Sequence, residues 1–195
     1  MRRALRLGGW LGLLLLAGCA GRLIPPSDLN DPVDFYLVDH GRHSSLVLPR
    51  EEGVVRYAYG EWRWYAEDRR GVLAGMSAML WPTRGTLGRK VFPDTDPTPF
   101  PDQVAPEGVE EVFLLQAEAT RVTHLQRHLD AIFDQQRDSL TYHPSYDLEF
   151  VSYPRPYWLM HQSNVVTAQW LEMLGFEVSG LAWLSDWHIE EANAP

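Results

Sequence analysis

The sequence predicts an α+β fold, and three observations carry that prediction. Short apolar runs rich in β-branched and aromatic residues recur at 33–49, 53–60 and 109–117, as strands require. A helical stripe follows at 120–138, where Val122, Leu125, Leu129, Ile132 and Phe133 fall on one face. A second helix begins near Ser163, with Val166, Trp170, Met173 and Leu174 on one side and Gly175 as its stop. Strands, helix, strand, helix and helix in this order fit one mixed core in a chain of 195 residues.

The first eighteen residues stand apart. Arg2, Arg3 and Arg6 precede an apolar run that closes on Leu16-Ala17-Gly18-Cys19, the layout of an export signal. The run is too short for a spanning helix, which needs about 20 apolar residues. Its end resembles a bacterial lipobox, which implies that Cys19 becomes the acylated first residue of the mature protein. Ala20 after it resembles the sorting signal for the periplasmic face of the outer membrane. Residues 19–32 then read as lipidated cysteine and tether, and 33–195 as the domain. Thirteen tether residues could reach roughly 43 Å.

Composition excludes several classes. Cys19 is the single cysteine, so the mature domain has no intramolecular disulfide and no thiol nucleophile. The chain carries 17 basic and 26 acidic residues; removal of Arg2, Arg3 and Arg6 with the leader leaves 14 against 26. Such an acidic balance argues against a nucleic-acid partner. It also leaves attachment to the membrane to the lipid, not to a basic patch.

Along the domain, Phe35–Val38 and Leu46–Leu48 flank a polar turn at Gly41. Residues 53–67 predict a strand, a turn and a short helix, and 71–81 a helix ended by Pro82. The six prolines between 82 and 108 predict a long loop. Residues 141–153 predict loop and strand, and the chain finishes beyond 176 in a strand or extended tail.

Two groups of residues could carry chemistry. Ser163 lies at the first turn of its helix, where serine accepts a backbone N–H as a cap. The same place suits a nucleophile, because the positive end of the helix stabilises a developing oxyanion. His43, at the start of a strand, is the candidate base; His40 and His161 lie nearby. His124 and His128 have the i, i+4 spacing of zinc ligands, but no glutamate follows the first of them and they flank the apolar stripe. They read as exposed, and no metal or cofactor is expected. Trp62, Trp64, Trp183 and Trp187 could line a groove or fill the core.

The blocks H-G-R-H-S-S-L-V-L-P (40–49), Y-A-Y-G-E-W-R-W-Y (57–65) and S-N-V-V-T-A-Q-W-L-E-M-L-G-F-E-V (163–178) resemble an uncharacterised bacterial family, sometimes encoded near urease genes. Its blocks read H-G-W-H-T-G-L-V-L-P, F-G-W-G-D and C-N-T-W-T-A-x-x-L, and the likeness covers most of 33–180. That family in turn resembles circularly permuted papain-like enzymes of the NlpC and lecithin:retinol acyltransferase type, in which the histidine strand precedes the nucleophile helix. The resemblance implies His43 as base, position 163 as nucleophile and Glu61 as the acid that orients the imidazole. Backbone N–H groups at Ser163 and Asn164 would form the oxyanion site, with His40 and His161 beside the cleft. This chain departs from the pattern in having Ser163 where the family has cysteine, and Val166 where it has tryptophan. Two functions follow as expectations. One is a serine-nucleophile hydrolase or acyltransferase acting on amide or ester bonds of the envelope. The other is a non-catalytic lipoprotein that keeps the cleft for a peptide, glycan or acyl ligand.

Overall fold

In a computed structural model, residues 21–69, 81–96, 98–180 and 185–190 are described. The export signal, Cys19, Trp183 and all but the last residue of the predicted 71–81 helix lie outside them. Among the described residues no helix is long and apolar enough to cross a membrane.

The architecture is α+β, dominated by sheet. Strands β1 (Gly21–Ile24), β2 (Pro32–Asp39), β3 (Ser44–Pro49) and β4 (Val54–Glu61) lead into the one-turn helix α1 (Trp62–Tyr65). Then come β5 (Gly85–Phe92), β6 (Glu111–Glu118), α2 (Ala119–Gln135), β7 (Thr141–His143) and β8 (Leu148–Ser152). Helix α3 (Ser163–Met173) precedes β9 (Glu177–Ser179) and β10 (Trp187–Ile189). Seven strands form one antiparallel sheet in the order β6-β2-β3-β4-β5-β8-β7. A second sheet, β10-β1-β9, pairs β1 parallel to β10 and antiparallel to β9.

The strand period of two sorts the large sheet into two faces. Leu46 and Leu48 of β3, with Val55, Tyr57 and Tyr59 of β4, share the main core with Leu125, Leu129 and Phe133 of α2 and Val166, Trp170 and Leu171 of α3. The alternate residues point the other way. Val47 and Val54 pack with Tyr36, Val38, Val104 and Ala105, while Ala58 packs with Tyr146, Leu148 and Phe150. Both faces are therefore covered, and all eight residues of β4 are buried. A strand covered on both faces reads as a continuous apolar run rather than an alternation.

The predicted helices at 120–138 and after Ser163 are present. Val122, Leu125, Leu129 and Phe133 are buried along α2, and His124 and His128 are exposed as expected. Helix α3 ends as its sequence implies: Gly175 has φ +101°, its N–H reaches Glu172 O at 3.0 Å, and Phe176 N–H reaches Leu171 O at 3.1 Å. These two bonds close the last turn in a Schellman motif.

Two expectations are corrected. Residues 82–108 are not one long loop, because β5 runs through them between β4 and β8. Pro82 and Pro93 bracket that strand without entering it, so every one of its residues keeps a ladder N–H. Nor are residues 21–32, the described part of the expected tether, a free one. Gly21–Ile24 form the middle strand of the small sheet, Leu23 is fully buried in the main core, and the N–H groups of Asn30 and Asp31 donate to the Glu118 carboxylate at 2.9 and 3.2 Å. A strand with partners on both sides has its backbone polar groups satisfied within the fold.

Candidate functional site

The first turn of α3 is built by the residue before Ser163. Gln162 is the N-cap: its Oε1 accepts the Asn164 backbone N–H at 2.8 Å and the Ser163 hydroxyl at 3.3 Å. Ser163 is thus the first helical residue and not the cap, and its backbone N–H acts on the Tyr157 hydroxyl against the rise in pKa that burial imposes there. Of the two amides expected to form an oxyanion site, that of Asn164 already has a partner. Ser163, Asn164, Gln162 and His161 are all buried.

Asn164 ties this turn to the start of β3. Its Nδ2 donates to Arg42 O at 3.2 Å, and its Oδ1 accepts from Ser44 Oγ at 3.2 Å. Ser44 Oγ in turn accepts from the Trp187 indole at 2.7 Å. The strand that follows His43 therefore packs beside the helix that begins at Ser163, as the block order predicts.

The His43 side chain goes elsewhere. Ser44, Leu46 and Leu48 share the helix-facing side of β3, while Ser45 and Val47 belong to the far side with Arg56. His43 falls in with the far-side set. Its ring stacks on His40 at 4.7 Å and meets Tyr65 edge-on at 5.3 Å, and its Nε2 lies 4.0 Å from Glu107 Oε1. Gly60 makes room for that arrangement, since a Cβ there would come within 2.1 Å of the Tyr65 ring. The Ser163 hydroxyl bonds to Gln162, and among the described residues no hydrogen bond joins it to His43.

Glu61 does not orient His43 either. It ends β4 on the helix-facing side; its Oε2 accepts the Trp64 N–H at 2.8 Å and caps α1. The acid beside the two histidines is Glu107, and the centre of that group is Arg56, which is fully buried. The Arg56 guanidinium pairs with both Glu107 oxygens and donates to Val104 O and Ser45 Oγ. It also donates to His40 Nε2 at 3.0 Å. A guanidinium can only donate, so His40 Nε2 is an acceptor and the proton sits on Nδ1, which donates to Gly108 O at 2.7 Å. Burial, then Arg56, lowers the His40 pKa to about 3. Burial, then the neighbouring His40, lowers His43 to about 3, with Glu107 acting in the opposite direction. Both rings are neutral at physiological pH.

His40, His43 and Glu107 offer three ligand-type atoms within 4.8 Å of one another. They do not fit a metal. Both His40 nitrogens are used, and the Glu107 charge is matched by Arg56. A cation brought here would face a buried guanidinium.

On the Ser163 side, His161 is held by its Nδ1, 2.9 Å from Pro156 O and 3.0 Å from Tyr59 Oη. A carbonyl can only accept, so Nδ1 carries the proton and Nε2 keeps its lone pair. Burial lowers the His161 pKa. Among the described residues, His161 Nε2, Glu61 Oε1 and Thr167 Oγ1 are buried without a hydrogen-bond partner. Unmet polar groups of this kind carry a desolvation cost and call for an occupant or a role. Of the tryptophans, Trp62 and Trp187 are buried in the fold and Trp64 is half-buried.

No protein-family model, curated protein or solved structure matches the chain.

Sequence reasoning missed Gln162, Tyr157, Arg56 and Glu107. Arg56 left a signal: a lone cation inside V-V-R-Y-A-Y, a strand otherwise fit for burial, requires an acid in the interior. Glu107 left none, since it stands in the proline-rich stretch. Gln162 was masked by Ser163, a commoner N-cap type, one position later.

Proposed function

We propose that this chain is a lipid-anchored envelope protein whose domain is a circularly permuted papain-like scaffold that binds its ligand and does not cleave it. The order of its blocks supports the scaffold: the histidine strand β3 comes first, and α3, with Ser163, comes later and packs beside it. The observation that carries the binding reading is the separation of Ser163 from His43 by β3. Ser163 lies with the helix-facing side and is bonded to Gln162, while the His43 ring sits with His40, Tyr65 and Glu107 on the other. A serine hydroxyl needs a base within reach to become a nucleophile. With a pKa of about 3, His43 would also be a weak base at neutral pH.

The ligand is a peptide, glycan or acyl group of the envelope, and the anchor at Cys19 places the protein on the periplasmic face of the outer membrane. The buried, unpartnered Glu61 Oε1 and His161 Nε2 are acceptors that such a ligand could satisfy. Calorimetric titration with envelope peptides, glycans and acyl esters, with products followed by mass, tests the reading. The expected result is binding by the native chain and by Ser163→Ala alike, with no turnover. Turnover that Ser163→Ala and His43→Ala abolish together would assign a serine hydrolase instead, because such residues act as a unit.

A further inference from the structure

We infer that the end of the domain holding the start of β1, Trp187 and the first turn of α3 lies directly against the bilayer surface. The inference rests on the lipid-anchor reading of Cys19 and adds to it a defined orientation. Only Ala20 separates Cys19 from Gly21, the first residue of β1. Two residues of chain span no more than about 7 Å. β1 is no loose leader. Gly21 N–H donates to Asp186 O at 2.9 Å, Gly21 pairs with Trp187, Arg22 pairs with Ser179, and Leu23 is buried in the main core. An acyl group on Cys19 is consequently attached almost directly to the folded domain.

The same end carries the candidate site. Trp187, paired with Gly21, donates its indole N–H to Ser44 Oγ at 2.7 Å, and Ser44 donates to Asn164 Oδ1 at 3.2 Å. One strand pairing and two hydrogen bonds thus link the anchor strand to the residue beside Ser163. The partner that fits this end is the lipid surface, and a ligand reaching the first turn of α3 is one presented at that surface. Attraction by charge does not supply the contact, since the mature chain has 14 basic against 26 acidic residues. The covalent attachment supplies it. Residues 51 and 52, in the turn between β3 and β4, mark the opposite end of β3. The six residues of that strand put the two ends roughly 20 Å apart.

The test uses the full, acylated chain in phosphatidylcholine–phosphatidylethanolamine vesicles that contain a headgroup-spin-labelled lipid. Because acylation consumes the Cys19 thiol, an introduced cysteine is the one free thiol available for a fluorophore. Arg42→Cys reports the α3 end, where the Arg42 side chain is exposed and its carbonyl bonds to Asn164; Glu52→Cys reports the far end. The expected result is severalfold stronger quenching at 42 than at 52. Inserting about twenty Gly/Ser residues between Ala20 and Gly21, a coil spanning roughly 25 Å, should abolish the difference. Equal quenching at 42 and 52 without the insertion, or a difference the insertion leaves unchanged, overturns the orientation. A chain that fails to float with the vesicles overturns it by a separate route, because the anchor itself is then absent.

Discussion

Arg56 is the residue on which the far side of the sheet depends. It is fully buried, and among the described residues Glu107 is the one carboxylate it bonds. Replacing one member of a buried ion pair leaves the other unpaired, at a cost of about 3–5 kcal/mol. Arg56→Met should therefore destabilise the fold by that order in urea denaturation. The double replacement Arg56→Met with Glu107→Leu should recover most of it, since no buried charge remains. The histidines beside Arg56 give a pH dependence whose sign is fixed. Their folded pKa values, about 3, lie below the ordinary 6.5, so between those limits the unfolded chain binds more protons. Their contribution to stability is complete above pH 6.5 and is lost as the pH falls from there toward 3. Replacing His40 and His43 together by glutamine should flatten the dependence of the urea midpoint on pH between 4 and 6.5; an unchanged slope would remove this cause.

At the scale of elements, α3 shows which signals a sequence carries and which it conceals. Its end was legible, because glycine at Gly175 answers a single steric demand, a φ of +101°. Its start was not. Serine and glutamine can each offer an oxygen to the first turn, and the sequence does not say which one does. The structure assigns the cap to Gln162, so Gln162→Ala should cost about 1 kcal/mol and Ser163→Ala clearly less. Equal losses, or a larger one at Ser163, would restore the serine cap. Helix α2 was legible because its apolar stripe is periodic over seventeen residues. β5 was hidden by the prolines on either side of it. β1, only four residues long, has too little pattern to register against proline-bearing neighbours. Its burial gives a direct check. Leu23→Ala should cost about 2–5 kcal/mol, the range for a buried leucine, whereas a residue in a tether would cost almost nothing.

For the whole molecule, the block order of strand and helix was readable, and it correctly brings β3 beside α3. The face on which a side chain emerges was not readable at His43. That residue precedes β3, and a shift of one position in a strand carries a side chain to the opposite face. The bond from Ser44 to Asn164 fixes the register, and His43 goes to the side of His40 and Glu107. The consequence is a domain in which Ser163 bonds to Gln162 at the start of α3 while the His43 ring sits with His40 and Glu107. A fluorophosphonate, which forms a covalent ester with an activated serine, addresses this most directly. Incubated with the full chain and followed by intact mass and peptide mapping, it should leave Ser163 unmodified, because the hydroxyl bonds to Gln162 and not to a histidine. A single adduct on Ser163 that forms in the native chain and disappears in His43→Ala would contradict the account.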